Sequence, residues 1–216
     1  MPTTKLLIGT KNPAKFSRYQ KILQQFPDLH LLSLADLQQV PAVTEDGATA
    51  EANARKKAVT YATATGIPTL SIDESLTIPA LPPHEQPGVN VRRYLGAEAT
   101  DEELLAIFLE KVKRLPLDQR TAVWIYAICL ARPEGRVDCE QVELLKGLTD
   151  RPSLPIIPGY PLSSILVDRY SGKILRDLTP EEEYQHLLPV YERVAAIFVR
   201  MRKVKDQDEP SSKSQS

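Results

Sequence analysis

The sequence predicts an α/β fold, a mixed and twisted β-sheet flanked by helices, within one domain spanning residues 1–204. Three observations carry this prediction. A short apolar run at residues 5–9 passes through a polar turn into apolar residues at helical spacing, the strand-turn-helix order of α/β proteins. Residues 121–131, TAVWIYAICLA, are the most strand-like run of the chain, and the turn at Pro133-Glu134-Gly135 leads to a partly alternating antiparallel partner at 137–145. Finally, 216 residues with 42% hydrophobic and 25% charged content suffice for one full core.

Each element follows in order. The run at 5–9 suits a strand buried on both faces. After Thr10 and Lys11, Asn12 stands near an N-cap and Pro13 in the first turn of a helix carrying Phe16, Tyr19, Ile22 and Leu23 on one face. A helix start presents free N–H groups and a positive dipole end, so with Lys11 and Lys15 beside it phosphate is a natural ligand. The same residues also suit an ordinary capped helix with solvated lysines. Residues 29–34 read as a second strand, and Thr44-Glu45-Asp46-Gly47 brings acids ahead of a long helix at 49–65. On that helix Asn53 and Lys57 share a face, either as part of a site or as a solvated pair.

The Gly66-Ile67-Pro68 turn opens residues 67–96, the stretch around which the chain is organised. A short apolar run reaches Asp73 and Glu74, expected at a strand end, and later a Pro-Gly turn precedes Arg92, Arg93 and Tyr94. An acid pair at the end of a buried strand is costly unless a metal ion or basic groups meet it, whereas at an open strand end it is simply solvated. Thr100 with Asp101, Glu102 and Glu103 forms a capping-box signal for a helix buried through Leu104, Leu105, Phe108, Leu109 and Val112. Four prolines between 148 and 161 make that segment a structured loop. A short strand at 165–167, a turn at Ser171-Gly172-Lys173 and a helix from Thr179-Pro180 follow. Pro189 is expected to kink or split that helix before a C-terminal helical stretch at 191–204, and residues 205–216 read as a disordered polar tail.

Charge and cysteine content narrow the function classes. Lys and Arg number 27 against 28 Asp and Glu, so no global field points to a nucleic-acid or membrane partner, and an anionic ligand must be caught locally. Cys129 and Cys139 lack the count and spacing of a disulfide framework or zinc site, which fits a reducing cytoplasm. No apolar run approaches the roughly 18 residues of a membrane span, and the N-terminus is not a secretory signal. His30, His84 and His186 are scattered and read as surface or packing residues. A serine or cysteine hydrolase has little support without a Gly-x-Ser-x-Gly elbow or a His-flanked nucleophile.

In colinear order from about residue 5 to 197, these segments resemble the inosine/xanthosine triphosphate pyrophosphatase family, or Ham1-like family. Its members hydrolyse deaminated purine nucleoside triphosphates to the monophosphate and pyrophosphate. The resemblance rests on Thr10, Asn12 and Lys15, matching the Thr-x-Asn-x-x-Lys cradle for the triphosphate, on Glu45 to Thr49 with Asn53 and Lys57, and on the 67–96 stretch. There Asp73 falls on the residue that serves the family as metal ligand and base, and Pro87-Gly88 and Arg93-Tyr94 also match. It implies two lobes with a cleft between them, a Maf-like architecture, a homodimer, a nucleoside triphosphate substrate and Mg2+. Asp73 and Lys57 would be catalytic; Asp73 and Glu45, with Glu74 as a shifted replacement, would hold the metal. Thr10, Asn12, Lys15, Asn53, Arg93, Gly159, Tyr160 and Lys173 would bind substrate.

The chain also departs from the family pattern. In the Asp-Asp-Ser-Gly signature the first Asp is Ile72, the Ser is Glu74 and the Gly is Ser75. The Phe-Gly-Tyr-Asp loop is Pro158-Gly159-Tyr160-Pro161, the Lys after Glu-Glu is Glu183, and the base-reading Ser-His-Arg is Leu187-Leu188-Pro189. At roughly 1.5 to 3 kcal/mol for each charged hydrogen bond, such losses predict a large fall in affinity for inosine triphosphate and altered base selectivity. Two functions follow as expectations: a nucleoside triphosphate pyrophosphatase with relaxed specificity, or a catalytically impaired nucleotide-binding, regulatory or scaffold protein.

Overall fold

A computed structural model describes residues 4–96 and 99–208. Among the described residues six strands form one sheet in the order β2-β1-β3-β4-β5-β6. They are β1 (Thr4–Ile8), β2 (Leu29–Ser33), β3 (Thr69–Thr77), β4 (Thr121–Ala131), β5 (Val137–Leu148) and β6 (Leu166–Asp168). β1 runs parallel to both β2 and β3, whereas β3, β4, β5 and β6 pair antiparallel. The sheet is therefore mixed, as expected. Among the described residues four α-helices accompany it: α1 (Pro13–Leu23), α2 (Ala50–Thr65), α3 (Asp101–Lys113) and α4 (Pro180–Asp208).

Local chemistry sets the helix limits. Thr49 accepts the Ala52 amide at 3.1 Å to start α2, and Gly66, with φ of 68°, closes it in the left-handed region that favours glycine. At α3, Thr100 and Glu103 make the reciprocal capping box that the sequence signals. α2 lays an alanine stripe, Ala50, Ala54, Ala58 and Ala62, against Ala127, Cys129 and Ala131 of β4, a small-residue contact that brings helix and sheet close. On the opposite face Leu187, Val190, Val194, Ile197 and Phe198 of α4 pack with Tyr19 and Leu23 of α1 on Ile72, Tyr126 and Ile128. A second large cluster gathers Leu104, Leu105, Phe108 and Val112 of α3 around Leu76, Ile78, Leu162 and Leu166.

Three expectations need correction. Asp73 and Glu74 sit in the middle of β3, because β3 continues through Ser75, Leu76 and Thr77 alongside β4. Pro189 does not split the last helix: α4 runs unbroken from Pro180 to Asp208. Its proline is exposed and flanked by buried Leu187 and Val190, so the missing hydrogen bond lies on the solvent side while packing holds both halves. The expected tail begins inside this helix, and from residue 209 onward it lies outside the described residues. Third, Cys129 and Cys139 are disulfide-bonded across directly paired positions of β4 and β5. Their count does not make a framework, but the hairpin register places them opposite one another, and cysteine content no longer points to a reducing compartment.

Candidate active site

The cleft opens where β1 stops. β1 pairs with β3 only through Leu7–Thr69 and Ile8–Leu70, after which β3 runs on without a strand on that side until Leu76 bridges Gly88. Gly9 permits the close departure of the chain: a Cβ there would meet Tyr61, Thr69 and Ser71 at 3.1–3.3 Å. The chain then turns into α1, whose first residues face the open edge of β3. The resulting cavity, near 770 Å³, is lined by Asn12, Lys15 and Arg18 of the α1 start and by Trp124, Tyr126, Lys146, Tyr160, His186 and Tyr191. That volume is within the usual range for small-molecule sites.

Successive strand residues point to opposite faces, and this separates the two acids. Asp73 is buried on the α2 side, where Lys57 Nζ lies 2.9 Å from its Oδ1 and 3.3 Å from Glu45 Oε2. Burial pushes the Asp73 carboxyl above its ordinary pKa, with Lys57 opposing and Glu45 reinforcing the shift. Glu74 turns to the other face, where Lys15 Nζ lies 2.9 Å from Oε1 and Trp124 Nε1 donates to Oε2 at 3.1 Å. Burial alone would raise its pKa, yet Lys15, Arg18 and the Trp124 hydrogen bond outweigh burial and hold it below the usual range. Lys15 is raised in turn, because Glu74 overcomes the effect of desolvation.

The other expected site residues divide into those the fold gathers and those it does not. Thr10 Oγ1 accepts the Asn12 amide at 3.1 Å, and Asn12 Oδ1 accepts the Lys15 amide at 3.3 Å, so this pair shapes the turn at the start of α1. Asn53 is buried and its Oδ1 accepts the Gly47 amide at 2.7 Å, which pins the loop bearing Glu45 to α2. Arg93 lines the cleft and donates to the Glu45 carbonyl at 3.3 Å. Gly159 and Tyr160 also line it; the Gly159 amide donates to Asp101 Oδ2 at 2.7 Å, and the buried Tyr160 hydroxyl has no partner among the described residues. Lys173 is half exposed, pairs with Glu182 Oε1 at 2.5 Å and is not among the residues lining the cleft.

Sequence reasoning missed a further set. Arg18 lines the cleft and meets Glu183 at 3.6 Å, so the charge reversal at Glu183 has an opposite partner on α1. His186 is neither a surface nor a mere packing residue. Its Nδ1 lies 2.7 Å from Asp168 Oδ1, and its Nε2 contacts Lys146 Nζ on the fully buried Lys146. Three separated segments build this chain of contacts, and only spacing across β5, β6 and α4 in three dimensions reveals it. Of the Ser-His-Arg positions, Leu187 is absorbed into the core and Pro189 is exposed.

Asp73 and Glu45 are the residues here that could hold a hard divalent cation, through carboxylate oxygens. Among the described residues no group of three or more His, Cys, Asp or Glu converges on a metal-sized space. Asp73 and Glu45 do converge, on a single lysine nitrogen. Magnesium is commonly held by one or two carboxylates, with phosphate oxygens and water completing its shell. Glu74 does not join that pair, because its position on β3 turns it towards Lys15 and Trp124.

The Ham1 family model matches residues 6–150. The chain belongs to the Ham1 family. A dITP/XTP pyrophosphatase of Geobacter sulfurreducens is 40% identical over 133 residues, covering 62% of this chain and 65% of that protein. The chain thus matches a little under two thirds of this relative's length. A dITP/XTP pyrophosphatase of Mycobacteroides abscessus is 30% identical over 185 residues, 83% of this chain and 86% of that protein. In three dimensions, a HAM1 protein from Coxiella burnetii superposes with a TM-score of 0.79 at 24% identity, covering 92% of this chain and all of that one. The last of these establishes the Ham1 fold, a mixed six-stranded sheet with helices on both faces.

Proposed function

We propose that this Ham1 protein is a nucleoside triphosphate pyrophosphatase acting on non-standard purine nucleotides such as ITP, dITP and XTP. It would release the monophosphate and pyrophosphate. The observation that carries the reading is the Asp73–Lys57–Glu45 group at one end of an aromatic-lined cleft, facing the start of α1 and Lys15. The names carried by its relatives favour this reading over an impaired regulatory or scaffold protein.

The chemistry follows from the residues. Lys15 holds phosphate oxygens through its charged side chain, beside the positive dipole end of α1. Asp73, whose burial favours proton uptake, accepts a proton from the water that attacks the α-phosphorus. Lys57 fixes the orientation of Asp73 and offsets charge developing on the phosphate. Arg93 braces the loop carrying Glu45. Asp73 and Glu45 are the residues that would hold Mg2+, which when bound neutralises the polyanion. The same reading includes a homodimer, which rests on the family resemblance and which light scattering tests, and a cytoplasmic enzyme, for which the Cys129–Cys139 bond removes the cysteine argument.

The deciding experiment is pyrophosphate release from a panel of nucleoside triphosphates with magnesium, comparing the intact protein with Asp73→Ala. Turnover that the substitution abolishes supports the proposal. Absence of turnover on every nucleotide, together with no thermal shift on adding them, overturns it.

A further inference from the structure

The cleft contains a polar assembly that the phosphate chemistry does not use. Lys146 lies on β5, opposite Ala122 of β4 and Asp168 of β6, and its side chain is fully buried while lining the cleft. His186 enters from α4 and Asp168 sits at the end of β6. Asp168 accepts the Ser171 amide and hydroxyl, each at 2.7 Å, and faces His186 Nδ1 at the same distance. These bonds hold Asp168 ionised, down to about 2 in spite of burial. A carboxylate acceptor puts the imidazole proton on Nδ1, so Nε2 presents a lone pair and Lys146 Nζ donates to it. A lysine fixed at one N–H has two further donors to aim elsewhere.

Strand register places Lys146 relative to the phosphate end of the cleft. Glu74, Tyr126 and Val142 are level across β3, β4 and β5, and Lys146 lies four residues beyond Val142 on the same face. At about 3.3 Å per residue, it stands roughly 13 Å along the face from the Lys15–Glu74 end. Trp124 lies between them in the same cleft, and Tyr160 and Tyr191 line it as well. The place is right for a base when the phosphates lie at α1. The positions of the family's base-reading Ser-His-Arg, Leu187 to Pro189, offer no side-chain donor here.

We propose that Lys146, oriented by His186 and Asp168, reads the base by donating to the O6 and N7 acceptors of a 6-oxopurine. Hypoxanthine, xanthine and guanine share that acceptor pair, whereas adenine presents a donor at position 6 and repels a second N–H. Lys146 therefore separates 6-oxo from 6-amino purines and does not separate inosine from guanosine nucleotides. Burial lowers Lys146 to about 7 against the raising effect of Asp168 and Glu74, and the two further donors belong to its protonated form. The inference deepens the pyrophosphatase reading, but its test needs no turnover.

Trp124 is the chain's single tryptophan and lines the cleft, so its fluorescence reports binding directly. Titrating the intact protein with inosine and adenosine 5′-monophosphates should show tighter inosine binding. In Lys146→Met that preference should fall about ten- to a hundredfold, the range of one well-made bidentate base contact. His186→Gln, which removes the anchor but keeps the lysine, should lose part of it. If the intact protein binds both nucleotides equally or neither, or if Lys146→Met keeps the preference, the proposal is overturned. Should Lys146→Met lack a cooperative melting transition, His186→Gln decides: an unchanged preference overturns the proposal. Failure of pyrophosphate release with the inosine preference intact would instead overturn the catalytic reading and leave this one standing.

Discussion

At the scale of single residues, the contact between Lys15 and Glu74 is the most consequential. Where the family signature has a serine, this chain has a carboxylate that engages the lysine expected to meet phosphate. A triphosphate must displace Glu74 or share Lys15 with it. Glu74→Ser is therefore expected to lower KM for the triphosphate severalfold with a smaller change in kcat, measured by steady-state pyrophosphate release. A second expectation concerns pH. Asp73 must be ionised to accept a proton, and its pKa is raised by burial, so activity should fall on the acid side at a pH above that of an ordinary aspartate. Lys57 opposes the shift, and Lys57→Met should move this acid limb to still higher pH besides slowing turnover; an unmoved limb in the kcat/KM profile would contradict the assignment. Asp73, Lys15 and Lys57 were legible in sequence because each lies in a short motif whose local spacing carries the meaning. Lys146, Asp168 and His186 were not, because they meet only through contacts among β5, β6 and α4. Lys173 shows the reverse: it fits a motif, but Glu182 on α4 captures it.

At the scale of elements, caps and turns were read well and proline was over-read. Thr49, Thr100 and the Pro133-Glu134-Gly135 turn marked α2, α3 and the β4–β5 hairpin, since each acts on backbone groups within a few residues. Pro189 carries an intrinsic cost of about 3 kcal/mol in a helix interior, which is the physical basis for expecting a break. Its cost is met by Leu187, Val190, Val194 and Ile197 packing against the sheet, a contribution that local propensity does not include. Pro189→Ala should therefore stabilise the protein, by up to about 3 kcal/mol, measured as a rise in the denaturation midpoint at unchanged m-value. The disulfide was also within reach at this scale, because Cys129 and Cys139 lie at equal distances from Glu134 and an antiparallel register pairs them.

For the whole molecule, the α/β class and mixed sheet follow from the sequence, but the order of strands does not. That order depends on β3 inserting between β1 and β4, a choice made by packing of α2 on one face and of α1 and α4 on the other. The Cys129–Cys139 bond ties β4 to β5 close to their hairpin turn. Closing a loop of about ten residues constrains the unfolded chain by at most about 3 kcal/mol, and the paired strands already supply part of the ordering. Reduction, or Cys139→Ser, is thus expected to lower the melting temperature by a few degrees while leaving the fold intact by circular dichroism.

The place where β1 leaves β3 also governs how the molecule breathes. β4 is flanked by β3 and β5 along most of its length, whereas beyond Leu70 β3 has no strand on its β1 side until the bridge at Gly88. Amides of β3 that face this gap should exchange with solvent hydrogen far sooner than those of β4. A nucleotide filling the cleft would cover the same edge, so slowed exchange in the segment around Asp73 is where occupancy registers first.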